Sequence, residues 1–403
     1  MSLCQRHFTA RLACMLAFAG VIGAAPALAD TSRYLQRNLV ADTAGSRSES
    51  GSKIWIKAEN VDPNLVNAWG LAFNPYGFAW LLDHHTGMAT LYNGDGHPQS
   101  PVVDIPPGVG SADSKGRPTG IVWNGGPGFV VRQGVLSGPS RFIFATEDGA
   151  ISAWSPAIDA SRAVRVFPRA YASNALYTGL AIGADGARPL LYAADFRNNR
   201  VDVFNTDFAW IILAGKPFVD PQMAPGYAPF GIQAINGDIY VTYAKQETPG
   251  DQRSERANPV SGSGFGFVSV FTPDGRFVSR VASNGALNKP WGLALAPAGF
   301  GRLGGRLLVA NGGDGAINAY DQSSGKFAGR LCGAGGRPIA IDGLWAIGFG
   351  NGAANQPVDT LFFSAGPDNG QHGLYGRLDA IPANGNSAAD CLKQATAPFT
   401  SEL

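Results

Sequence analysis

Side chains able to do chemistry recur in this chain directly after short apolar runs. Asp83-His84-His85, Glu147-Asp148, Asp195 with Arg197, Lys245, Asn311 with Asp314, and Asp368 with His372 all hold such places. Carboxylate and amide oxygens are hard donors, so Asp83, Glu147, Asp195 and Asn311 form a candidate ligand set for a divalent cation such as calcium. His84 and His85 could ligate a metal, or be no more than a surface or capping pair. Other templates fail on spacing. No His-Glu-x-x-His run supports zinc, no Gly-x-Ser-x-Gly elbow is present, and no cysteine is paired with a histidine. Gly312-Gly-Asp-Gly315 and Gly94-Asp-Gly96 precede no helix that would hold a phosphate. Asp, Asn and Gly in turns also serve backbone conformation alone.

The elements that must carry these residues are short strands. Leu190-Leu-Tyr-Ala-Ala-Asp-Phe-Arg-Asn-Asn-Arg-Val-Asp-Val-Phe204 reads as an apolar strand, a polar turn and a second strand. The pattern recurs. Trp69-Gly-Leu-Ala-Phe73, Thr119-Gly-Ile-Val-Trp123, Thr178-Gly-Leu-Ala-Ile182, Phe230-Gly-Ile-Gln-Ala234, Trp291-Gly-Leu-Ala-Leu295 and the degenerate Trp345-Ala-Ile-Gly-Phe349 each open a repeat. Their small residues fall at 70, 120, 179, 231, 292 and 346, a period of about fifty to sixty. Four short antiparallel strands repeated six times predict an all-β, six-bladed β-propeller. Glycine in each first strand fits crowding around a central channel. The last repeat lacks its own fourth strand, and the alternating run Tyr34–Val40 is expected to supply it and close the ring.

Residues 1–29 read as a secretory signal, with Arg6 and Arg11 ahead of an apolar core and Ala27-Leu-Ala29 as the cleavage site. Residues 30–403 are then one propeller domain, exported to the periplasm or beyond the cell. Removing the leader leaves basic and acidic residues nearly balanced, which argues against nucleic-acid binding. No stretch is long and apolar enough to span a membrane. Of four cysteines only Cys332 and Cys391 follow the leader, and in an oxidising setting they are expected to form a disulfide.

Ala194-Asp195…Asn199-Arg200-Val-Asp-Val-Phe204 resembles the NHL repeats of six-bladed propellers. More widely, the chain looks like an uncharacterised family of secreted bacterial propellers. The resemblance rests on Asp62-Pro-Asn-Leu-Val-Asn-Ala-Trp-Gly-Leu-Ala72, Tyr240-Val-Thr-Tyr-Ala-Lys-Gln246 and Lys289-Pro-Trp-Gly-Leu-Ala294. It covers nearly all of the mature chain and implies fold and export, with no catalytic residues attached.

In a propeller the turns after second strands and the connections entering first strands share one face. That face is expected to gather Asp83, His84, His85, Glu147, Asp195, Arg197, Lys245, Asn311, Asp314 and Asp368, with Asn67, Arg117, Lys289 and Asp342 from the entering connections. The expected function is a monomeric scaffold that binds a small molecule, glycan or protein there. The alternative is a metal-assisted hydrolase or lyase of sugar-lactonase type, using the channel-mouth carboxylates.

Overall fold

The computed structural model describes residues 33–45, 57–167, 174–247 and 257–382. The leader, Cys391 and most of the insertion after Glu247 lie outside them. The chain builds six small antiparallel sheets, each hydrogen-bonded in the order of a propeller blade. Blade 1 is Ala68–Phe73, Ala79–Asp83, Met88–Tyr92 and Pro98–Asp104. Blade 2 is Pro118–Trp123, Phe142–Thr146, Ile151–Trp154 and Val164–Phe167. Blade 3 is Tyr177–Asp185, Arg188–Asp195, Arg200–Phe204 and the short Trp210–Ile211. Blade 4 is Tyr227–Ile235, Asp238–Gln246, Phe267–Phe271 and Phe277–Ser283. Blade 5 is Pro290–Leu295, Leu307–Asn311, Ile317–Tyr320 and Phe327–Arg330. Blade 6 takes Leu344–Phe349, Leu361–Ala365 and Leu374–Ile381 from its own repeat.

The fourth strand of blade 6 is Arg33–Ala41, antiparallel to Leu374–Ile381. The expected closure of the ring by the N-terminal strand is therefore what the structure contains. Tyr34, Leu39, Val40 and Ala41 are fully buried, and the Tyr34 ring stacks on Phe300 at 4.6 Å. Asn60–Val61 adds a parallel fifth strand outside it. One feature has no signal in the repeat pattern: a hairpin, Val130–Gln133 with Leu136–Pro139, inserted between the first two strands of blade 2.

Each blade alternates its apolar residues between two neighbours, because successive strand residues point to opposite faces. In blade 1, Ala79 and Leu81 pack toward blade 6 with Leu39 and Tyr375, while Trp80 and Leu82 pack toward blade 2 with Phe142 and Phe144. The turn read in blade 3 forms as expected. Asn199 takes φ 53°, the left-handed conformation that asparagine tolerates, between Asp195 and Arg200.

Candidate functional site

Four first strands carry an aromatic residue near their start, Trp69, Phe230, Trp291 and Trp345, and these rings gather around the ring axis. Trp69 and Trp345 stack at 3.8 Å with their planes 14° apart, and Trp291 meets both edge-on at 6.4 and 6.3 Å. Phe230 lies 6.1 Å from Trp345. The Trp291 Nε1–H reaches across the axis from blade 5 to donate to the Thr178 carbonyl of blade 3, at 2.8 Å. The channel is thus closed by a stack of rings at one mouth. Beyond it, toward the other face, all six first strands line a cavity of about 570 Å³ that includes Leu71, Ile121, Ile182, Ile235, Leu295 and Ile347.

Beside the rings, blades 1 and 2 assemble a polar group. His84 is buried, packs 5.1 Å from the Trp69 ring, and places Nε2 2.9 Å from Glu147 Oε2. Asn67 organises this corner from the connection entering blade 1, with φ 51°. Its Oδ1 accepts from Trp345 Nε1 at 3.1 Å, and its Nδ2 lies 3.4 Å from both His84 Nδ1 and His85 Nε2. Burial pushes the Glu147 carboxyl up, but the His84 hydrogen bond and the electrostatic influence of His84, Arg117 and His85 outweigh it and hold Glu147 below its ordinary value. His85 is pushed down by burial first, then by His84 and Arg117.

Glu147 also forms one wall of a cleft of about 760 Å³ over blades 2 to 4. Arg117, Asp113, Asn174, Arg197 and Asn258 line it, with Leu176 joining it to the ring stack below. Arg117 Nε pairs with Asp113 Oδ2 at 2.9 Å, and Arg197 donates to the carbonyl and side-chain oxygens of Asn174 at 3.1 Å. Asp113, Asn174 and Asn258 belong to connections without a repeat signature, which is why the sequence pattern does not single them out.

The other expected residues are used differently. Asp195 accepts from Leu176 N–H at 3.0 Å and from Asn198 Nδ2 at 2.7 Å, fastening its own turn to the strand entry beside it. Burial raises its carboxyl in spite of these bonds. Asn311 donates to the Ala286 carbonyl at 2.8 Å and to Asp314 Oδ1 at 3.0 Å, the same fastening in blade 5. Asp83 is enclosed against blade 6, and burial drives its carboxyl well above the usual range. Lys245 lays its ammonium 4.1 Å from the Phe265 ring centroid. Lys289, pushed down by burial, sits 5.3 Å from that of Trp345. The Asp368 N–H donates to Asp342 at 2.9 Å, and His372 Nδ1 lies 2.8 Å from Asp42 Oδ2. His84, His85, Glu147 and Arg197 therefore meet around one cleft and its edge. Asp83, Asp195 and Asn311 turn into their own blades, so the expected four-residue channel-mouth metal site does not assemble. Among the described residues no group of three or more His, Cys, Asp or Glu side chains is arranged to hold a metal ion.

Sheet order and blade count define this protein as a six-bladed β-propeller with one ring-closed channel mouth. No protein-family model matches it. The chain is 31% identical over 330 residues to uncharacterized protein R648 of Acanthamoeba polyphaga mimivirus, covering 80% of this chain and 77% of that protein. It is 32% identical over 330 residues to uncharacterized protein L690 of the same virus, covering 80% of this chain and 82% of that one. It belongs to the family of these two proteins. They are viral, so the bacterial setting expected from the sequence draws no support from them. Among solved structures, one of unknown function from Bacteroides thetaiotaomicron is similar at 12% identity and TM-score 0.46, covering 78% of this chain and 70% of that chain.

Proposed function

We propose that this propeller is an exported, monomeric binding protein that holds a small polar ligand, such as a glycan fragment, in the cleft over blades 2 to 4. The observation that carries the reading is convergence. Glu147, Arg117 and Arg197 come from separate blades or connections to one cleft, whose floor borders aromatic rings. Donors and acceptors on opposite walls suit a polyhydroxylated ligand, and clefts of this size take small molecules. Soaking crystals of the mature chain with sugar and sugar-acid fragments tests it. Fragments are expected in this cleft, and Arg197→Ala is expected to weaken the bound ones about tenfold, the worth of one good polar contact. Fragments that settle only in the opposite channel cavity would overturn the reading.

One observation favours an enzyme instead. A buried histidine 2.9 Å from an ionised carboxylate at a cleft edge is an acid–base pair. On this second reading the protein is a lyase or hydrolase that needs no channel metal. Turnover of a lactone or elimination substrate, insensitive to chelator and reduced at least about a hundredfold by His84→Ala, would select it over simple binding.

Export also governs the cysteines. Cys332 is buried, and the proposed disulfide to Cys391 would fasten the C-terminal segment to blade 5. The intact exported protein is expected to start near residue 30 and to weigh two hydrogens less than its reduced form. Alkylation of both thiols in the native exported protein would refute the bond.

A further inference from the structure

Repeats let one position be compared across blades. On the face that each blade turns toward its predecessor, the third strand carries a buried polar residue: Thr90, Ser152, Asp202, Ser269 and Asn318 in blades 1 to 5. In three of these blades a guanidinium meets it or its acidic neighbour. Arg200 Nε lies 2.8 Å from Asp202 Oδ1, Arg280 Nε 2.7 Å from Asp220 Oδ2, and Arg330 Nε 3.1 Å from Asn318 Oδ1.

Blade 1 uses the same acidic device as blade 4. Asp220, in the connection entering blade 4, accepts from Gln222 N–H at 2.9 Å and from Ser269 Oγ at 2.7 Å. Asp62, in the connection entering blade 1, accepts from Asn64 N–H at 2.9 Å and from the Tyr92 hydroxyl at 2.8 Å. Blade 1 then departs from the pattern twice. It adds a second carboxylate, Asp83, which is wholly buried within electrostatic reach of Asp62. It also lacks the strand-borne cation, since neither its third strand, Met-Ala-Thr-Leu-Tyr, nor its fourth, Pro-Gln-Ser-Pro-Val-Val-Asp, has a basic residue. Thr90 is the polar neighbour of Asp83, but neither the Asp83 oxygens nor the Thr90 hydroxyl makes a hydrogen bond of good geometry within the protein. Unpartnered buried oxygens beside a second acid carry a desolvation cost that three other blades avoid.

We propose that the seam between blades 6 and 1 binds a calcium ion through Asp83, Asp62 and Thr90. Carboxylate and hydroxyl oxygens are hard ligands, and two buried acids match a divalent charge. Magnesium keeps most of its water, whereas calcium accepts an irregular set of protein oxygens in an enclosed site. The ion stands where the guanidinium stands in blades 3 to 5. It also ties the connection leaving the closing strand, whose Asp62 N–H donates to the Ala41 carbonyl at 2.9 Å, to the body of blade 1. The site thus reinforces ring closure and lies apart from the cleft proposed above.

The test is metal content and thermal melting of the mature chain purified without chelator. About one calcium per chain is expected, with EDTA lowering the midpoint and calcium, not magnesium, restoring it. Asp83→Asn is expected to remove both the metal and the calcium response, and Thr90→Val to weaken calcium binding about tenfold. A metal-free protein whose melting ignores EDTA and calcium overturns the proposal. So does an infrared carboxylic-acid band at neutral pH that Asp83→Asn abolishes, which would mean that a proton neutralises Asp83. A calcium response that survives Asp83→Asn assigns the ion elsewhere and also overturns it. Should Asp83→Asn fail to fold, the wild-type metal content and EDTA response still decide.

Discussion

Deleting residues 33–41 is expected to abolish the cooperative melting transition of the purified chain or lower its midpoint sharply. The strand pairs along its length with Leu374–Ile381, so its loss opens a row of backbone donors and acceptors at a blade edge. It also removes four fully buried side chains, Tyr34, Leu39, Val40 and Ala41. At about 1.5–3 kcal/mol for each large apolar group the loss exceeds about 5 kcal/mol, comparable with the whole stability of an ordinary domain. Tyr34→Ala alone should cost about 3–5 kcal/mol, because its ring stacks on Phe300 and its hydroxyl donates to the Phe300 carbonyl at 3.1 Å. A synthetic peptide of residues 33–41 should restore part of the midpoint to the deletion variant by adding back the missing strand. Equal melting and equal monomeric elution of the deletion variant and the intact chain would show that the ring does not depend on this strand.

The second large effect is graded. A methyl group built on Gly231 would lie 2.1 Å from the Trp291 carbonyl oxygen of the next blade, and on Gly292 2.5 Å from that of Trp345. On Gly120 it would lie 2.5 Å from Leu180 N, on Gly70 2.7 Å from the Thr119 oxygen, but on Gly179 3.2 Å from the Phe230 oxygen. Each clash is with a neighbouring first strand, whose backbone cannot move without disturbing the ring. Overpacking a well-filled site costs about 1–3 kcal/mol, and more where backbone meets backbone. Gly231→Ala should therefore destabilise most, by more than about 3 kcal/mol, and Gly179→Ala least, by about 1 kcal/mol or less. Denaturant midpoints of the five variants measure the order. Five equal midpoints would leave the crowding account of these glycines without support.

Those glycines are legible in the sequence itself, because a small residue recurring every fifty to sixty positions at the head of a β run has few other uses. Blade 6 departs from the glycine pattern at Ala346. Its backbone N–H donates to Ser364 Oγ at 3.1 Å, while that hydroxyl donates to the Trp69 carbonyl at 2.5 Å, so blade 6 is stitched to blade 1 by a side chain. Asp195 shows the limit of the same reading. Its place after a second strand located the right face of the ring. Which way its oxygens turn depended on the Leu176 N–H, nineteen residues earlier.

What the sequence determined by itself was periodicity: strand length, blade number, the missing fourth strand of blade 6 and the run that would fill it. These follow from alternation and turn chemistry, which act over a few residues, and from repetition, which needs only counting. What tertiary structure alone decided was convergence. Trp69 and Trp345 stack, His84 meets Glu147 and Asp220 meets Arg280 because ring closure and blade curvature bring distant turns together. Each carboxylate could face the channel, the neighbouring blade or its own turn, and a change of one strand position reverses the choice. Local sequence carries no term for that direction, whereas packing does, since a buried acid stays only where a donor or a cation meets it.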